Sequence, residues 1–491
     1  MPETAADIIV VGGGAAALAA AAEAARLGRS VLLIEKNERV GGTSALAVGT
    51  FMAASSQLQI AAGIADSPRR HDEELAEIAR GLGLRDDPAL RRLFVENAAD
   101  TVDFLAGIGV DFVGPMPQPP FPTDRLHVAL PGGRSYVNRL QRHCRRLGVI
   151  IHTATRARHL IREGGRVLGV EVETADGRTE KLSARVAVIL ASGDFSANYE
   201  MRAQLLGPGA EALPPLNPTA TGDGHRMGVE IGAQLALRPG INAAELGQAR
   251  FAPPPRRSWI ESLPPWRVVT LAMKLAMNHL PSAIVRRFVL QAAMTALAPE
   301  RALYVHGAIL VNRDGERFVD ELTAPVTEIA KQRQGEAFVV FDARIATLFS
   351  AWPNFVSTAP GVAYAYVDDY RRARADIFHE APDVGSLAAA LGMDAARLAA
   401  TISSAPCRAE KLATPPFYAL GPLKAWMLLT PIGLAVNTSL QILDADDEPI
   451  PGLYGAGGVG CGGYLSLYHG HSLGWALVSG RLAGRHAAFS A

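Results

Sequence analysis

The chain has 491 residues, enough for two or three domains with full-sized cores. Its 48 Lys and Arg balance 48 Asp and Glu, which argues against a nucleic-acid binder. No apolar run reaches the roughly 18–20 residues that cross a bilayer. Residues 1–7 lack the basic region of a secretory signal. Cys144, Cys407 and Cys461 have no metal or redox spacing, so no metal site is expected and a reducing, cytoplasmic setting is the default.

In chain order, Asp7–Val11 reads as a buried parallel strand, Gly12–Gly14 as a turn, Ala15–Leu27 as an alanine-rich helix closed by Gly28, and Ser30–Ile34 as a second strand. His71–Ala106 reads as helices, Pro115–Pro122 as a proline-rich loop and Val137–Leu147 as an amphipathic helix. Val149–His152, Val167–Thr174 and Val186–Leu190 read as strands. Strand and helix patterns return from Ala308 to Leu398. The chain then turns glycine-rich from Gly452 to Gly474 and ends in a helix, Leu473–Ala488.

The chemistry begins at Gly12-Gly13-Gly14-Ala15-Ala16-Ala17. Gly12 allows a tight turn out of the strand, Gly14 lets backbone approach a pyrophosphate, and Ala17 fits where helix meets strand. The helix N-terminus offers free N–H groups to phosphates. Glu35 closes the second strand at the spacing that binds a ribose hydroxyl. That acid serves NAD and FAD alike. A second glycine loop, Val40-Gly41-Gly42-Thr43-Ser44-Ala45-Leu46-Ala47-Val48-Gly49 after Lys36, favours FAD, because it can wrap the dinucleotide from the other side.

These residues resemble the fumarate reductase/succinate dehydrogenase flavoprotein superfamily, which includes the 3-ketosteroid dehydrogenases. The resemblance extends to Ala191-Ser192-Gly193-Asp194-Phe195, to Thr221-Gly222-Asp223-Gly224, to the hairpin Val311–Glu321, to the strand Pro451–Gly458 and to the helix start Gly470-His471-Ser472-Leu473-Gly474. The family usually has Asn at the position of His471. The resemblance implies an α/β fold, with a Rossmann-type FAD-binding domain (residues 1–236 and 429–491) and an inserted α+β capping domain (237–428). It implies FAD contacts from Gly12, Gly14, Ala15, Ala16, Glu35, Lys36, Gly41, Gly42, Thr43, Ser44, Ala47, Val48 and Gly49. Further contacts would come from Ala191 to Asp194, Asn198, Thr221 to Asp223, Ala456, Gly457 and Gly470 to Leu473. Relatives that link FAD covalently use a histidine in the second loop. Thr43–Ala47 contains none, so non-covalent FAD is expected.

The reaction is decided by the site rather than the fold. Fumarate reductases place an arginine proton donor just past the hairpin, where this chain has Pro325. Their carboxylate-binding His and Arg fall near Leu429 and Leu467. A dicarboxylate needs cationic partners in a desolvated site, so dicarboxylate chemistry is disfavoured. The C-terminal Tyr464–Ala476 stretch resembles the ketosteroid enzymes better, although their capping-domain tyrosine is absent at Pro325–Val326. Oxidising a C–C bond beside a carbonyl needs a hydride acceptor, a base and donors to the ketone. Tyr468, Tyr464, His469 and Tyr418 are the candidates, with plain packing the alternative for Tyr418 and Tyr464. Cys461 reads as a small buried thiol.

Residues 250–301 carry eight basic and two acidic residues around two apolar, helix-permissive runs, Trp266–Leu280 and Ala283–Leu297. One reading is a helical pair over the substrate cavity. The other is an interfacial helix that meets a membrane surface. Both favour an apolar substrate. The expectation is an FAD-dependent oxidoreductase acting on a CH–CH bond beside a carbonyl of an apolar, steroid-like substrate, with an unnamed electron acceptor. Reduction of an unsaturated acid and a non-catalytic electron-transfer flavoprotein remain as alternatives.

Overall fold

The computed structural model describes residues 5–207, 209–237, 247–253, 263–264, 266–279, 290, 297–323, 325–359, 363–406, 408, 410–466 and 468–490. Strand β1 (Ala5–Val11), helix α1 (Ala15–Arg26) and strand β2 (Val31–Ile34) form the expected opening unit. β1 sits inside an eight-stranded sheet, with β2 and Ile150–His152 on one side and Thr179–Leu190 and Pro449–Gly455 on the other. These neighbours run parallel, and Gln441–Leu443 adds an antiparallel edge. A sheet covered on both faces needs apolar residues at every position, and Ile8, Ile9 and Val10 are fully buried.

Helix α1 is alanine-rich because another helix lies against it. Cβ atoms added to Gly480 and Gly484 of the C-terminal helix (His471–Phe489) would stand 2.3 Å from the carbonyl oxygens of Ala16 and Ala20. Glycine there lets two backbones touch. The buried Glu23 carboxylate fixes the pair, accepting from Arg26 at 2.8 Å and from Arg485 at 3.1 Å.

A second, five-stranded antiparallel sheet runs in the order Gly247–Phe251, Phe417–Met427, Glu336–Asp342, Ile309–Val311, with Phe378–Ala381 also paired to Phe417–Met427. It has its own core, including Phe251, Phe341, Phe349 and Tyr370. Phe195, Leu206, Leu213 and Ile432 belong to that core as well.

The 71–106 region is two helices, Pro68–Gly81 and Pro88–Gly107, started by the caps Ser67 and Asp87. Part of the expected 115–122 loop is strand: Phe112–Met116 pairs at the edge of a three-stranded sheet. An edge tolerates Pro115, whose missing N–H no neighbour needs. Strand Val186–Leu190 extends back to Thr179, because a hairpin of Arg156–Glu163 and Arg166–Glu173 pairs with it. The first of those two strands escapes sequence reading, since charged residues interrupt its alternation. Trp266–Leu280 is helical over Arg267–His279. Of Ala283–Leu297, all but the buried Leu290 and Leu297 lies outside the described residues.

Candidate functional site

The site is built at the carboxyl ends of the parallel strands, where open α/β sheets bind ligands. Leaving β1, the chain turns at Gly12 with φ +118°, and a Cβ there would lie 2.4 Å from the Ala191 carbonyl oxygen. Gly14 is the N-cap of α1 and brings no side chain of its own to that end. Ser44 Oγ accepts from the Ala15 amide at 3.1 Å. The amides of Ala16 and Ala17 have no carbonyl to reach within the helix and so face the turn. Gly41 donates its amide to the Gly13 carbonyl at 2.8 Å, which ties the second glycine loop over the first. Asn217 donates to Thr43 Oγ1 at 2.9 Å and holds that loop from behind. Leu46 and Val48 stand half exposed on its lip, next to Ala47 and Gly49. Bare backbone, open helix amides and exposed apolar side chains together suit a pyrophosphate joined to a flat ring system. The residues present therefore fit FAD.

Glu35 is buried at the end of β2, where its Oε1 accepts from the Asn37 amide at 2.8 Å and from Asn37 Nδ2 at 2.7 Å. Burial raises its pKa, and the Asn37 and Lys36 interactions pull against that rise. Lys36, Thr221 and Asp223 bond to one another. Lys36 Nζ donates to Thr221 Oγ1 at 2.5 Å and to Asp223 at 2.9 Å, and Arg156 holds the other Asp223 oxygen at 2.8 Å. Burial alone would raise the Asp223 carboxyl, but Arg156 and Lys36 hold it at about 2. These three side chains brace the site. Asn198 is likewise a helix cap: its Oδ1 accepts from the Met201 amide, and its Nδ2 donates to the Thr221 carbonyl. Asp194 is buried with its Oδ1 on the Ser196 amide. Ser192 Oγ lies against Gly224, Gly193 follows it with φ +83°, and Gly222 caps the helix that begins at Asp223.

The late strand returns to the same edge. Ala456 donates its amide to the Leu190 carbonyl, and Gly457 donates to Ser479 Oγ. Gly470 is the N-cap of the final helix, which starts at His471, with Ser472 exposed and Leu473 half-buried. His471 is fully buried, and its Nε2 lies 3.2 Å from Nε2 of His71. Sequence reading missed His71, since only an aromatic neighbourhood built in three dimensions singles it out.

The four catalytic candidates part company. Tyr464 is buried, stacked on Trp475 with ring centroids 4.6 Å apart and tilted against Phe94. Tyr418 stacks on Phe341 in the second core and donates its hydroxyl to Glu380 at 3.2 Å. Both rings make packing contacts. Tyr468 is 42% exposed and sits at φ +63°, a conformation that costs energy for a side chain with a Cβ and gathers at functional sites. Its ring meets the edge of Phe121. His469 is exposed by area, yet protein crowds it. That desolvation, and then the Arg250 charge, lower its pKa. A side chain on the wall of a cleft has this combination. Arg250 lies on strand Gly247–Phe251, where Ala249 and Phe251 point into the second core. Gln248 and Arg250 therefore share the opposite face, and Arg250 Nε donates to Gln248 Oε1 at 2.6 Å. Sequence reading counted Arg250 only as part of a basic segment. Its place two residues after Gln248 on one strand face was the available signal.

The FAD binding domain family matches residues 7–245 and 268–474 of this chain. The chain belongs to that family, and it is an FAD-dependent oxidoreductase acting on CH–CH bonds. It is 28% identical to vinyl phenol reductase of Lactiplantibacillus plantarum over 95% of this chain and 93% of that protein. The open conformation of a flavocytochrome c3 fumarate reductase superposes with TM-score 0.70 at 25% identity, covering 99% of this chain and 78% of the other. The 3-ketosteroid-Δ4-(5α)-dehydrogenase of Rhodococcus jostii, in complex with 4-androstene-3,17-dione, gives 0.63 at 25%, covering 99% and 97%.

Proposed function

We propose that this flavoprotein reduces a carbon–carbon double bond conjugated to an oxygen-bearing group in a largely apolar substrate, and that its FAD is held without a covalent link. Bound FAD supplies hydride chemistry at N5. The observation that carries the reading is that Arg250, from the capping sheet, lies near enough to His469, from the loop before the final helix, for its charge to lower the imidazole pKa. Arg250 suits a carbonyl, phenolate or carboxylate oxygen, because a partly desolvated guanidinium is a strong donor to developing negative charge. His469, with its lowered pKa, stays neutral near pH 7 and can hold or pass a proton at Nδ1 or Nε2. Tyr468, exposed beside it, can donate a phenolic proton. The similarity to vinyl phenol reductase supports an uncharged or phenolic alkene. The likeness to the androstenedione-bound enzyme supports a steroid-like enone.

The test is steady-state reduction of 4-vinylphenol, an enone steroid and fumarate with a reduced viologen dye. The reading expects turnover on a neutral alkene, and Arg250→Gln should lower kcat/KM by about 10²–10³-fold at unchanged flavin content. An Arg250→Gln enzyme as active as the parent removes the proposed role. A second reading, fumarate reduction, is favoured by the flavocytochrome likeness. Pro325 and Leu429, at positions where carboxylate chemistry uses arginine and histidine, count against it. Fumarate turnover on the order of 1–10³ per second would establish it.

A further inference from the structure

Among the described residues, helix Arg267–His279 is fastened to the body of the protein along one side. Thr270 is buried and bonded to the Asp111 carboxylate, and Met273 packs on the first core. The residues that alternate with them, Val268, Leu271 and Leu275, are half or more exposed, as is Trp266 just ahead of the helix. A helix that turns an apolar stripe to water is not stabilised by that face and needs something to cover it.

The surroundings of the stripe say what covers it. Neither this helix nor the adjacent helix Arg134–Arg146 contains an acidic residue. Arg139, from the second helix, lies close enough to Arg142, Arg267 and Arg146 for their charges to lower its pKa, after desolvation and against the pull of Asp111. Arg139 is 7% exposed, and its Nε and Nη2 donate to no partner among the described residues. Native proteins rarely leave a buried guanidinium unpaired. An apolar stripe bordered by clustered arginines is repelled by another basic surface and matched by an anionic one.

We infer that this face docks on the surface of a bilayer rich in anionic phospholipid. Trp266, Val268, Leu271 and Leu275 enter the headgroup–acyl boundary, while Arg142, Arg146 and Arg267 meet lipid phosphates and the buried Arg139 adds its charge from beneath them. No described helix is long and apolar enough to cross a membrane, so the contact is peripheral. It goes beyond the redox reading, because it concerns where the enzyme meets water-insoluble molecules rather than how it reduces them.

The experiment is vesicle flotation of the full-length, FAD-loaded protein. Vesicles are pure phosphatidylcholine or phosphatidylcholine with phosphatidylglycerol. The expected result is flotation with the anionic vesicles, weakened by salt, and little with the neutral ones. The triple variant Val268→Asp, Leu271→Asp, Leu275→Asp, checked for unchanged flavin spectrum and melting temperature, should partition about tenfold less or worse. The exposed pair Arg142→Glu, Arg146→Glu should lose the anionic preference. If the parent does not float, or the triple variant floats equally well, the proposal fails. It also fails if the parent is a dimer by mass photometry that the triple variant converts to monomer, since a second copy would then cover the stripe.

Discussion

Nε2 of His71 and Nε2 of His471 face each other at 3.2 Å inside an enclosure of Phe94 and Phe121. One nitrogen must carry a proton and the other a lone pair, so each ring fixes the tautomer of its partner. Both imidazoles are fully buried. Burial, then the His471 and Arg125 charges, push the His71 pKa far down, so the pair shares its hydrogen bond with His71 neutral.

A buried hydrogen-bonded pair is damaged more by losing one member than by losing both. His71→Leu alone should destabilise by about 1–3 kcal/mol, and the double variant with His471→Leu by less than the sum of the singles. Urea unfolding of the four proteins measures this. Strict additivity would mean that the two rings are independent.

Acid sensitivity follows from buried neutral histidines. Desolvation depresses His127 and His225 to about 4 and His71 well below its usual value. The unfolded chain takes up these protons below about 6.5, while in the folded chain His127 and His225 resist them until about 4 and His71 is depressed in the same direction. Their stabilising effect is complete above the unfolded value and is lost as pH falls through that window. Each histidine contributes a slope of about 1.4 kcal/mol per pH unit. Unfolding midpoints at pH 7 and pH 5 should differ steeply, and His225→Gln should flatten the difference. A flat profile contradicts the assignment.

Glu35 presents a carboxylate that Asn37 orients at the end of β2. If it holds the adenosine ribose, Glu35→Ala should lose flavin on extended dialysis while keeping its fold. Flavin content equal to the parent's would remove Glu35 from the site.

Tyr464 and Tyr468 give opposite expectations. Tyr468→Phe should lower turnover by about 10²–10⁴-fold if its hydroxyl moves a proton. Tyr464→Phe should leave turnover intact, because that ring is stacked in the core on Trp475. Normal turnover in both variants would take the proton chemistry away from these two hydroxyls.

That contrast shows what was legible in the sequence. The opening unit could be read because each glycine of its turn has a local reason, and Glu35 follows at a fixed distance along the chain. Helix caps such as Ser67 and Asp87 are equally local. Tyr464 and Tyr468 are four residues apart and of one type, yet the left-handed turn at Tyr468 sends one inward and the other to the surface. No pattern of neighbours encodes that. The His71–His471 pair spans 400 positions, and the Arg250 charge reaches His469 across 219 positions of chain, from residue 250 to residue 469. The Lys36–Asp223 ion pair likewise joins residues far apart in sequence, which no local pattern announces.

Hydride transfer from flavin to a conjugated alkene is the step on which the proposed reaction depends. Rapid anaerobic mixing of the fully reduced protein with 4-vinylphenol and with an enone steroid tests it most directly. Recovery of the oxidised flavin absorbance, with one equivalent of saturated product and a rate that falls in Arg250→Gln, is the predicted result. A flavin that stays bleached with every conjugated alkene, yet is reoxidised at once by a one-electron dye, would contradict it and mark the chain as an electron carrier.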